Sequence, residues 1–238
     1  MIVIHKNEGE TMGGLLDRAQ VEYPKFADES MTFAGRLDPL ASGACIILVG
    51  DERFEKEKYT GLSKTYKVSF LEGVETDTLD PLGLIVKTTS SSVIQFGEDV
   101  IKTILLGNHI LPYPNYSSKN VDGKPLWQHT RENSFVEVPQ RVMSVNSLIY
   151  EGEELISSET VIKEWQERIQ KVNGDFRQQE ILQTYSNIPH NLTWRRVTLI
   201  LHVASGTYIR SLTQLLKNYT QTPWIAEYIE RTHIDEIC

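Results

Sequence analysis

Residues 35–50 read "GRLDPLASGACIILVG" and join a compact turn to an apolar run. The run "ACIILVG" is typical of a buried strand. Ahead of it, Asp38 can cap a single helical turn that has Pro39 at its first position and ends at Gly43. A carboxylate held on a rigid turn beside a buried strand also meets the needs of a nucleophile. Local spacing leaves both interpretations of Asp38 open.

The tetrapeptide Leu-Asp-Pro-Leu returns at residues 79–82 in different surroundings. Strand-like segments flank this second copy, at residues 64–72 and 84–89, and the first of them alternates apolar and polar side chains. Asp80 and Gly83 occupy positions that favour a β-turn around the intervening Pro-Leu. We therefore predict that the second copy is a turn joining two strands.

Length and composition limit the class of protein. The chain has 238 residues and 40% hydrophobic content, which suits one large domain or two small ones. It has no run of 18 apolar residues, and its first ten residues lack the features of a signal peptide, so we expect no membrane span. Two cysteines, Cys45 and Cys238, do not make a disulfide framework, and we expect a cytoplasmic protein.

Motifs for cofactors and metals are absent from the sequence. It contains no Gly-x-Gly-x-x-Gly and no Walker loop, which gives no support for a nucleotide cofactor. It also has no Cys-x-x-Cys and no His-Glu-x-x-His, and its six histidines are scattered. We expect neither a metal nor a cofactor, so any chemistry must come from ordinary side chains.

The charge distribution is uneven. A formal net charge of −8 argues against a nucleic-acid partner. However, residues 190–217 hold four bases and no acid, and residues 112–131 hold three bases and one acid. Two such stretches can form one face for a polyanion, because local potential governs contact. The alternative is that these bases are simply solvated.

The remaining pattern mixes strands and helices. It predicts strands at 2–5, 135–150 and 194–204, and helices after Thr11 and over 98–106. A final helix is predicted at "SGTYIRSLTQLLKNY", with Ile209, Leu212 and Leu216 facing inward. A further apolar stripe predicts one long helix and consists of Val161, Trp165, Ile169, Val172 and Phe176. Residues 110–126 are rich in turn formers and are expected to leave the core.

Five motifs, in order along the chain, resemble those of the TruB family of tRNA pseudouridine synthases. They are "GRLDPLASG", "KTYKVSFLEGVETDTLDPLG", "PNYSSKNVDGKPLW", "SGTYIRSL" and "IERTHI". No single motif is decisive, but the ordered set is specific and, with Lys6 at its start, extends to Ile234.

The resemblance implies a fold. We expect an α+β pseudouridine synthase fold, with a mixed, largely antiparallel central sheet flanked by helices. Residues 1–238 would form a single catalytic domain, with an RNA-gripping insertion at 112–131 and a helical insertion at 158–182. The C-terminal RNA-binding domain of many members is expected to be missing.

The resemblance also implies an activity. A uridine in the T-loop of tRNA, at position 55, would be isomerised to pseudouridine after base flipping. Asp38 would be the nucleophile, and Arg210 its ion-pair partner, which favours the charged carboxylate. Tyr66 would stack on the target base and could accept a proton, while Asp80 would be structural. The partner would be the T-arm of tRNA, bound by a monomer.

Further site residues follow from the same resemblance. Those expected to bind the substrate nucleotide are Tyr208, Ile229, Leu212, Phe33, Lys6 and Lys64. Those expected to contact RNA phosphates are Lys119, Lys124 and Arg131. Phe33 stands where the family has a histidine, so stacking is retained and a hydrogen bond is lost.

Two other functions stay open at this point. The first is a non-catalytic RNA-binding or tRNA-folding protein on the same scaffold. The second is a carboxylate-dependent glycosidase, which would need a second acid about 5–9 Å from Asp38 across an open cleft.

Overall fold

The computed structural model describes residues 1–92 and 97–237, so Cys238 lies outside the described part. The strands are β1 (Ile2–Lys6), β2 (Met31–Ala34), β3 (Ser42–Val49), β4 (Lys64–Glu72), β5 (Val74–Thr76), β6 (Ile85–Thr88), β7 (Gly107–Pro112), β8 (Asn120–Val121), β9 (Lys124–Pro125), β10 (Gln140–Ser157), β11 (Thr193–Val203) and β12 (Trp224–Ile234). The α-helices are α1 (Met12–Glu22), α2 (Lys56–Thr60), α3 (Glu98–Leu105), α4 (Leu126–Arg131), α5 (Ser158–Gln170), α6 (Gln178–Tyr185) and α7 (Thr213–Thr220). Short 3₁₀ helices cover Pro24–Phe26, Gly50–Glu55 and Ile209–Leu212. No helix within these described ranges is long and apolar enough to cross a membrane.

A central eight-stranded sheet organises the chain. Seven strands follow the order β1-β3-β12-β4-β11-β10-β7, and β2 pairs with β3 beside this path. Among the described strands of this sheet, only β12 and β3 run parallel, through a short contact at Ser42 and Gly43, and the other pairs are antiparallel. The expected mixed, largely antiparallel sheet with flanking helices is confirmed.

The sheet has a hydrophobic core on each face. Because side chains alternate along a strand, β4 sends Val68 and Phe70 to one face and Leu71 to the other. The first face packs against α1, α3 and α7, and the second packs against α5 and α6. The central strands β4, β11 and β12 are therefore buried on both faces of the sheet.

Several local predictions agree with the structure. β1, β4, β11 and α3 lie where the sequence pattern indicates. Thr11 caps α1, since its side chain accepts a hydrogen bond from the Gly14 backbone N–H. The predicted strand at 135–150 begins later and continues through residue 157 as β10.

The predicted single long helix is wrong, because the structure has two helices there. α5 contains Val161, Trp165 and Ile169, and α6 begins at residue 178. Phe176 lies in the connecting loop, where Gly174 takes a positive φ. An aromatic cluster fixes this pair of helices on the sheet: the ring of Trp165 lies 5.8 Å from that of Trp194.

The second Leu-Asp-Pro-Leu is a turn, but the strands around it differ from the prediction. β4 ends at Glu72, and β6 pairs with the short β5 in a separate two-stranded sheet. The Asp80 carboxylate accepts a hydrogen bond of 2.8 Å from the Leu82 backbone N–H. This is the side-chain-to-backbone bond that aspartate makes in turns.

The first Leu-Asp-Pro-Leu is a β-turn rather than a capped helical turn. The Ala41 backbone N–H donates to the Asp38 carbonyl at 3.0 Å, and β3 begins directly afterwards. Gly43 does not end a helical turn; it lies within β3 with φ +114°. A Cβ atom there would collide with the backbone of Arg231 on β12.

We predict that Gly43→Ala destabilises the protein by roughly 2–4 kcal/mol, because the new methyl group meets backbone atoms and the residue must hold a positive φ. Urea unfolding followed by circular dichroism measures this change. Gly13→Ala is the matched control: it lies in α1 with ordinary contacts and should stabilise by about 0.5–1 kcal/mol. Equal effects of the two substitutions would show that the backbone of β12 leaves room for a side chain at position 43.

Candidate active site

The two catalytic residues predicted first, Asp38 and Arg210, meet in space although 172 positions separate them. Asp38 lies on the turn before β3, and Arg210 lies on the 3₁₀ helix that follows β11. The Arg210 Nε and Nη2 atoms donate to the two carboxylate oxygens of Asp38, each at 2.8 Å. This bidentate geometry is the strong form of an arginine–carboxylate pair.

The arginine of this pair is buried, whereas the aspartate is accessible. The Arg210 side chain is 3% exposed and that of Asp38 is 38% exposed. The Arg210 Nη1 atom also donates to the Thr78 carbonyl at 2.6 Å, and Nη2 donates to the Tyr116 carbonyl at 3.0 Å. The guanidinium is therefore fixed by three segments of the chain while it presents Asp38 to solvent.

A second carboxylate, Asp80, shares the same guanidinium. Its Oδ2 atom lies 3.6 Å from the Arg210 Nε atom, and its side chain is buried. Burial raises the pKa of Asp80, although the charge of Arg210 opposes that change. Burial alone would lower the pKa of Arg210, but Asp38 and Asp80 raise it overall. Asp80 thus forms a turn, as expected, and also contributes to the electrostatics of the site.

Lys6 supports the turn that contains Asp38. The buried Lys6 ammonium donates to the carbonyls of Pro39 at 3.0 Å and Ala41 at 2.6 Å. Burial lowers the pKa of Lys6 to about 8. Lys6 supports the turn and is not among the residues that line the cleft, and its predicted contact with the substrate stays a prediction.

Asp38 lies in a cleft of about 1640 Å³. Tyr66, Tyr208 and Ile229 line it, as the substrate-binding predictions require. Burial raises the pKa of Tyr208, and the nearby charge of Asp38 raises it further, so its hydroxyl stays protonated at neutral pH. Leu212, in contrast, is fully buried and does not belong to the cleft wall. Its contribution is to the core.

Arg231 is a site residue that the sequence reasoning missed. It is buried, and its guanidinium donates to the Ala44 carbonyl at 2.6 Å and to the Cys45 Sγ atom at 3.1 Å. Burial would lower its pKa, but the nearby Tyr66 and Cys45 side chains raise the value overall. The "IERTHI" motif contains this arginine. The hydrogen-bond partners Ala44 and Cys45 lie on β3, far away in the sequence, so no local pattern indicates its role.

The remaining predicted substrate residues, Lys64 and Phe33, lie at one side of the cleft. The Lys64 ammonium donates to the carbonyls of Thr60 at 2.9 Å and of Leu62, and burial lowers its pKa to about 8. The Phe33 ring lies beneath two cations, 4.9 Å from the Arg36 guanidinium carbon and 5.1 Å from the Lys56 ammonium.

The cleft is basic although the protein is acidic. Nine Lys and Arg residues and four Asp and Glu residues line it. The bases are Arg36, Lys56, Lys64, Lys119, Arg131, Arg141, Arg177, Arg210 and Arg231. The idea that residues 190–217 form a basic strip is wrong, because Arg195 and Arg196 form ion pairs with glutamates away from the cleft. Of the four bases in that stretch, all of them in the described part of the chain, only Arg210 lines the cleft.

The three predicted phosphate-contacting residues differ in their surroundings. Lys119 lines the cleft, and its ammonium lies 5.6 Å from the ring centroid of Tyr113. Arg131 also lines it, with an Nη2 bond of 3.0 Å to the Asp175 carbonyl. Lys124 is outside the wall and pairs with Glu132 at 2.8 Å.

Metal ligation has no basis in the described residues, since no group of three or more His, Cys, Asp or Glu side chains among them is arranged to hold an ion. The expectation of a reaction without metal or cofactor stays a prediction.

Known proteins resemble this chain in sequence and in fold. The tRNA pseudouridine synthase B of Syntrophobacter fumaroxidans is 29% identical over 148 residues, covering 61% of this chain and 47% of that protein. The enzyme of the same name from Aster yellows witches'-broom phytoplasma is 27% identical over 214 residues, covering 88% and 61%. The chain spans about half the length of the curated relatives it matches.

A solved structure and a family model complete the comparison. The crystal structure of a Cbf5-Nop10-Gar1 complex contains a chain that matches with a TM-score of 0.54 and 15% identity, over 98% of this chain and 48% of that one, which shows a shared fold. Residues 25–163 match the model of the TruB family pseudouridylate synthase (N terminal domain). With more than half of its residues in that match, the chain belongs to the TruB family of pseudouridylate synthases.

Proposed function

We propose that the protein isomerises a uridine in RNA to pseudouridine, with Asp38 as the nucleophile. The observation that carries the proposal is the bidentate Asp38–Arg210 pair, whose carboxylate is accessible in a basic cleft. Membership of the TruB family supports the reaction type.

The reaction needs few chemical groups. The bond from N1 of uracil to C1′ of the ribose breaks, and a bond from C5 to C1′ forms. C5 loses a proton and N1 gains one, so atoms balance without any co-reactant. Asp38 engages the sugar or the ring as a nucleophile, and Arg210 favours the charged form of its carboxylate.

The walls of the cleft suit a flat base. Tyr66, Tyr208 and Ile229 give apolar surfaces around Asp38 on which uracil can stack. A uridine stacked in an RNA loop cannot reach a carboxylate inside a cleft, so the nucleotide must flip out. In this proposal the Tyr66 hydroxyl accepts the proton from C5, since Tyr66 lines the same cleft as Asp38.

The finer proposal is that the substrate is the T-arm of tRNA and that the target is its position 55 uridine. The names of the curated relatives support tRNA as the substrate. A broad basic cleft suits recognition of a folded stem-loop by shape and phosphate contacts. A cytoplasmic monomer stays part of this proposal.

The alternative functions have less support. A glycosidase needs a second acid facing the first across the cleft, but Asp80 is buried and held on the same guanidinium as Asp38. A non-catalytic RNA-binding protein would have no need for an accessible carboxylate held in bidentate geometry by a buried arginine.

We predict that Asp38→Asn lowers pseudouridine formation on an unmodified tRNA transcript by roughly 10⁴-fold or more, because the amide is not a nucleophile and no longer pairs with Arg210. Mapping pseudouridine by position after single-turnover reactions measures both the rate and the target. Wild-type product at position 55 alone would support the T-loop assignment.

Asp17→Asn is the matched control, since Asp17 is exposed on α1 and should leave the rate unchanged. Product from the Asp38 variant at the wild-type rate would show that another group is the nucleophile. RNA binding without product from the wild-type protein would support the non-catalytic alternative.

We predict that Lys119→Met weakens RNA binding and lowers the slope of log K against log salt by about 0.7–0.9, the value for one lost phosphate contact. Lys119 lines the cleft and takes part in none of the ion pairs formed by the described residues. Fluorescence anisotropy with a labelled stem-loop at several salt concentrations measures the slope.

Lys217→Met is the matched control for charge. Lys217 pairs with Glu75 at 2.7 Å and lies outside the cleft, so its loss should leave the slope unchanged. Equal slopes for the wild type and the Lys119 variant would show that RNA phosphates do not contact this part of the cleft.

A further inference from the structure

The helical insertion contacts segments next to Arg210 through the loop between its two helices. This insertion loop comprises residues 171–177, and residues 175–177 of it line the cleft. Its Arg177 binds Asp77 in a bidentate pair, with Nη1 2.9 Å from Oδ2 and Nη2 3.3 Å from Oδ1. The Arg177 guanidinium also lies 4.6 Å from the ring centroid of Tyr116. One side chain of the insertion therefore contacts two separate segments.

Asp77 controls the shape of the loop that contains the second Leu-Asp-Pro-Leu. Its backbone N–H donates to the Leu84 carbonyl at 3.0 Å, and its Oδ1 atom accepts from the Leu84 N–H at 2.8 Å. These two bonds close residues 77–84 into a loop. Burial raises the pKa of Tyr116, and the nearby charge of the Asp77 carboxylate raises it further. Arg177, Asp77 and Tyr116 thus form one connected cluster.

The two segments joined by this cluster are the ones that hold Arg210. Thr78 follows Asp77 directly, and its carbonyl accepts from the Arg210 Nη1 atom at 2.6 Å. The Tyr116 carbonyl accepts from Nη2 at 3.0 Å. A displacement of either segment would move an acceptor of the guanidinium that aligns Asp38.

The insertion loop is well anchored. The Gln178 side chain donates to the Gly174 carbonyl at 2.7 Å and accepts from the Phe176 N–H at 2.9 Å. On α6, the Tyr185 hydroxyl donates to the Pro81 carbonyl, which gives a second contact with residues 77–84. Arg177 takes a left-handed conformation, with φ 63°, which is uncommon for a residue with a side chain and persists only where its surroundings hold it.

Arg177 could instead act as one more phosphate contact, because it lines the cleft. Its geometry argues against that role. Two bonds to Asp77 offset its charge, and its guanidinium faces the Tyr116 ring. A residue held in this way is better suited to fixing protein segments than to binding a mobile polyanion.

We propose that Arg177 is a positioning residue: by joining Asp77 to Tyr116 it sets the two carbonyls that orient Arg210, and through Arg210 it aligns Asp38. The kinetic part of this inference rests on the proposed function. Through Arg177, the helical insertion would affect the chemistry without touching the reacting atoms.

The test compares Arg177→Ala and Arg177→Lys with the wild type in single-turnover reactions at saturating tRNA transcript. The alanine variant should lower the rate constant roughly 10- to 100-fold, as expected for a small misplacement of catalytic groups. Its Kd for RNA should change less than about threefold, because no phosphate contact is lost. The lysine variant keeps the positive charge but cannot bind a carboxylate through two parallel bonds, and it should recover part of the rate.

Two further variants isolate the Asp77 link. Asp77→Asn keeps the acceptor for the Leu84 N–H but weakens the pair with Arg177. Because both residues act through one interaction, the double variant Arg177→Ala/Asp77→Asn should be no slower than the slower of its two single variants. Lys163→Ala removes an exposed charge from α5 of the same insertion and should match the wild type.

A readout independent of activity separates this inference from the proposed function. In NMR spectra, the buried Arg210 Nε–H, identified by its loss in Arg210→Lys, should shift and exchange faster with water in Arg177→Ala. An unchanged Arg210 signal would overturn the positioning role. A weaker Kd and a smaller salt slope at an unchanged rate would overturn it in favour of a phosphate contact. A wild type without product, but with the expected change in the Arg210 signal, would refute only the proposed function.

Discussion

The bidentate pair between Asp38 and Arg210 is the interaction on which the site depends. Removing a guanidinium from water is costly unless its donors are satisfied and its charge is offset. Two carboxylates and two backbone carbonyls meet this requirement around Arg210. These groups come from the Asp38 turn, the loop of residues 77–84 and the segment at Tyr116. The need to compensate one buried arginine therefore brings together distant parts of the chain.

The pairing of cations with carboxylates also explains how an acidic protein can have a basic cleft. Most cations away from the cleft form ion pairs, as Arg195 and Arg196 do with glutamates on neighbouring strands and on α5. The cleft, in contrast, has more than twice as many basic as acidic residues in its walls. The net charge of −8 therefore describes the protein surface as a whole and says little about the potential inside the cleft.

Local patterns predicted much of the fold, and their failures have a physical cause. The alternation in residues 64–72 identified β4, since its apolar side chains face the core. β12 escaped notice although it lies in the centre of the sheet, because its sequence interrupts apolar residues with Glu227 and Arg231. Both are buried, with partners distant in the chain, and a pattern based on hydrophobicity treats such residues as exposed. Family resemblance indicated Asp38, Tyr66 and Arg210, but the supporting roles of Lys6 and Arg231 depend on contacts that only the folded chain shows.

The groups proposed to perform chemistry and those proposed to contact RNA are held in different ways. Arg210 and Arg231 are buried and bound by several partners, so their positions are fixed before any ligand arrives. The side of the cleft at Phe33 is more open, and there an aromatic ring lies under the cationic ends of Arg36 and Lys56. A ring in this position can stack on a base without selecting its hydrogen-bonding edge, and the two cations favour a nearby phosphate. Replacement of a hydrogen-bonding residue by Phe33 therefore changes how a nucleotide would be recognised while leaving the buried network around Asp38 intact.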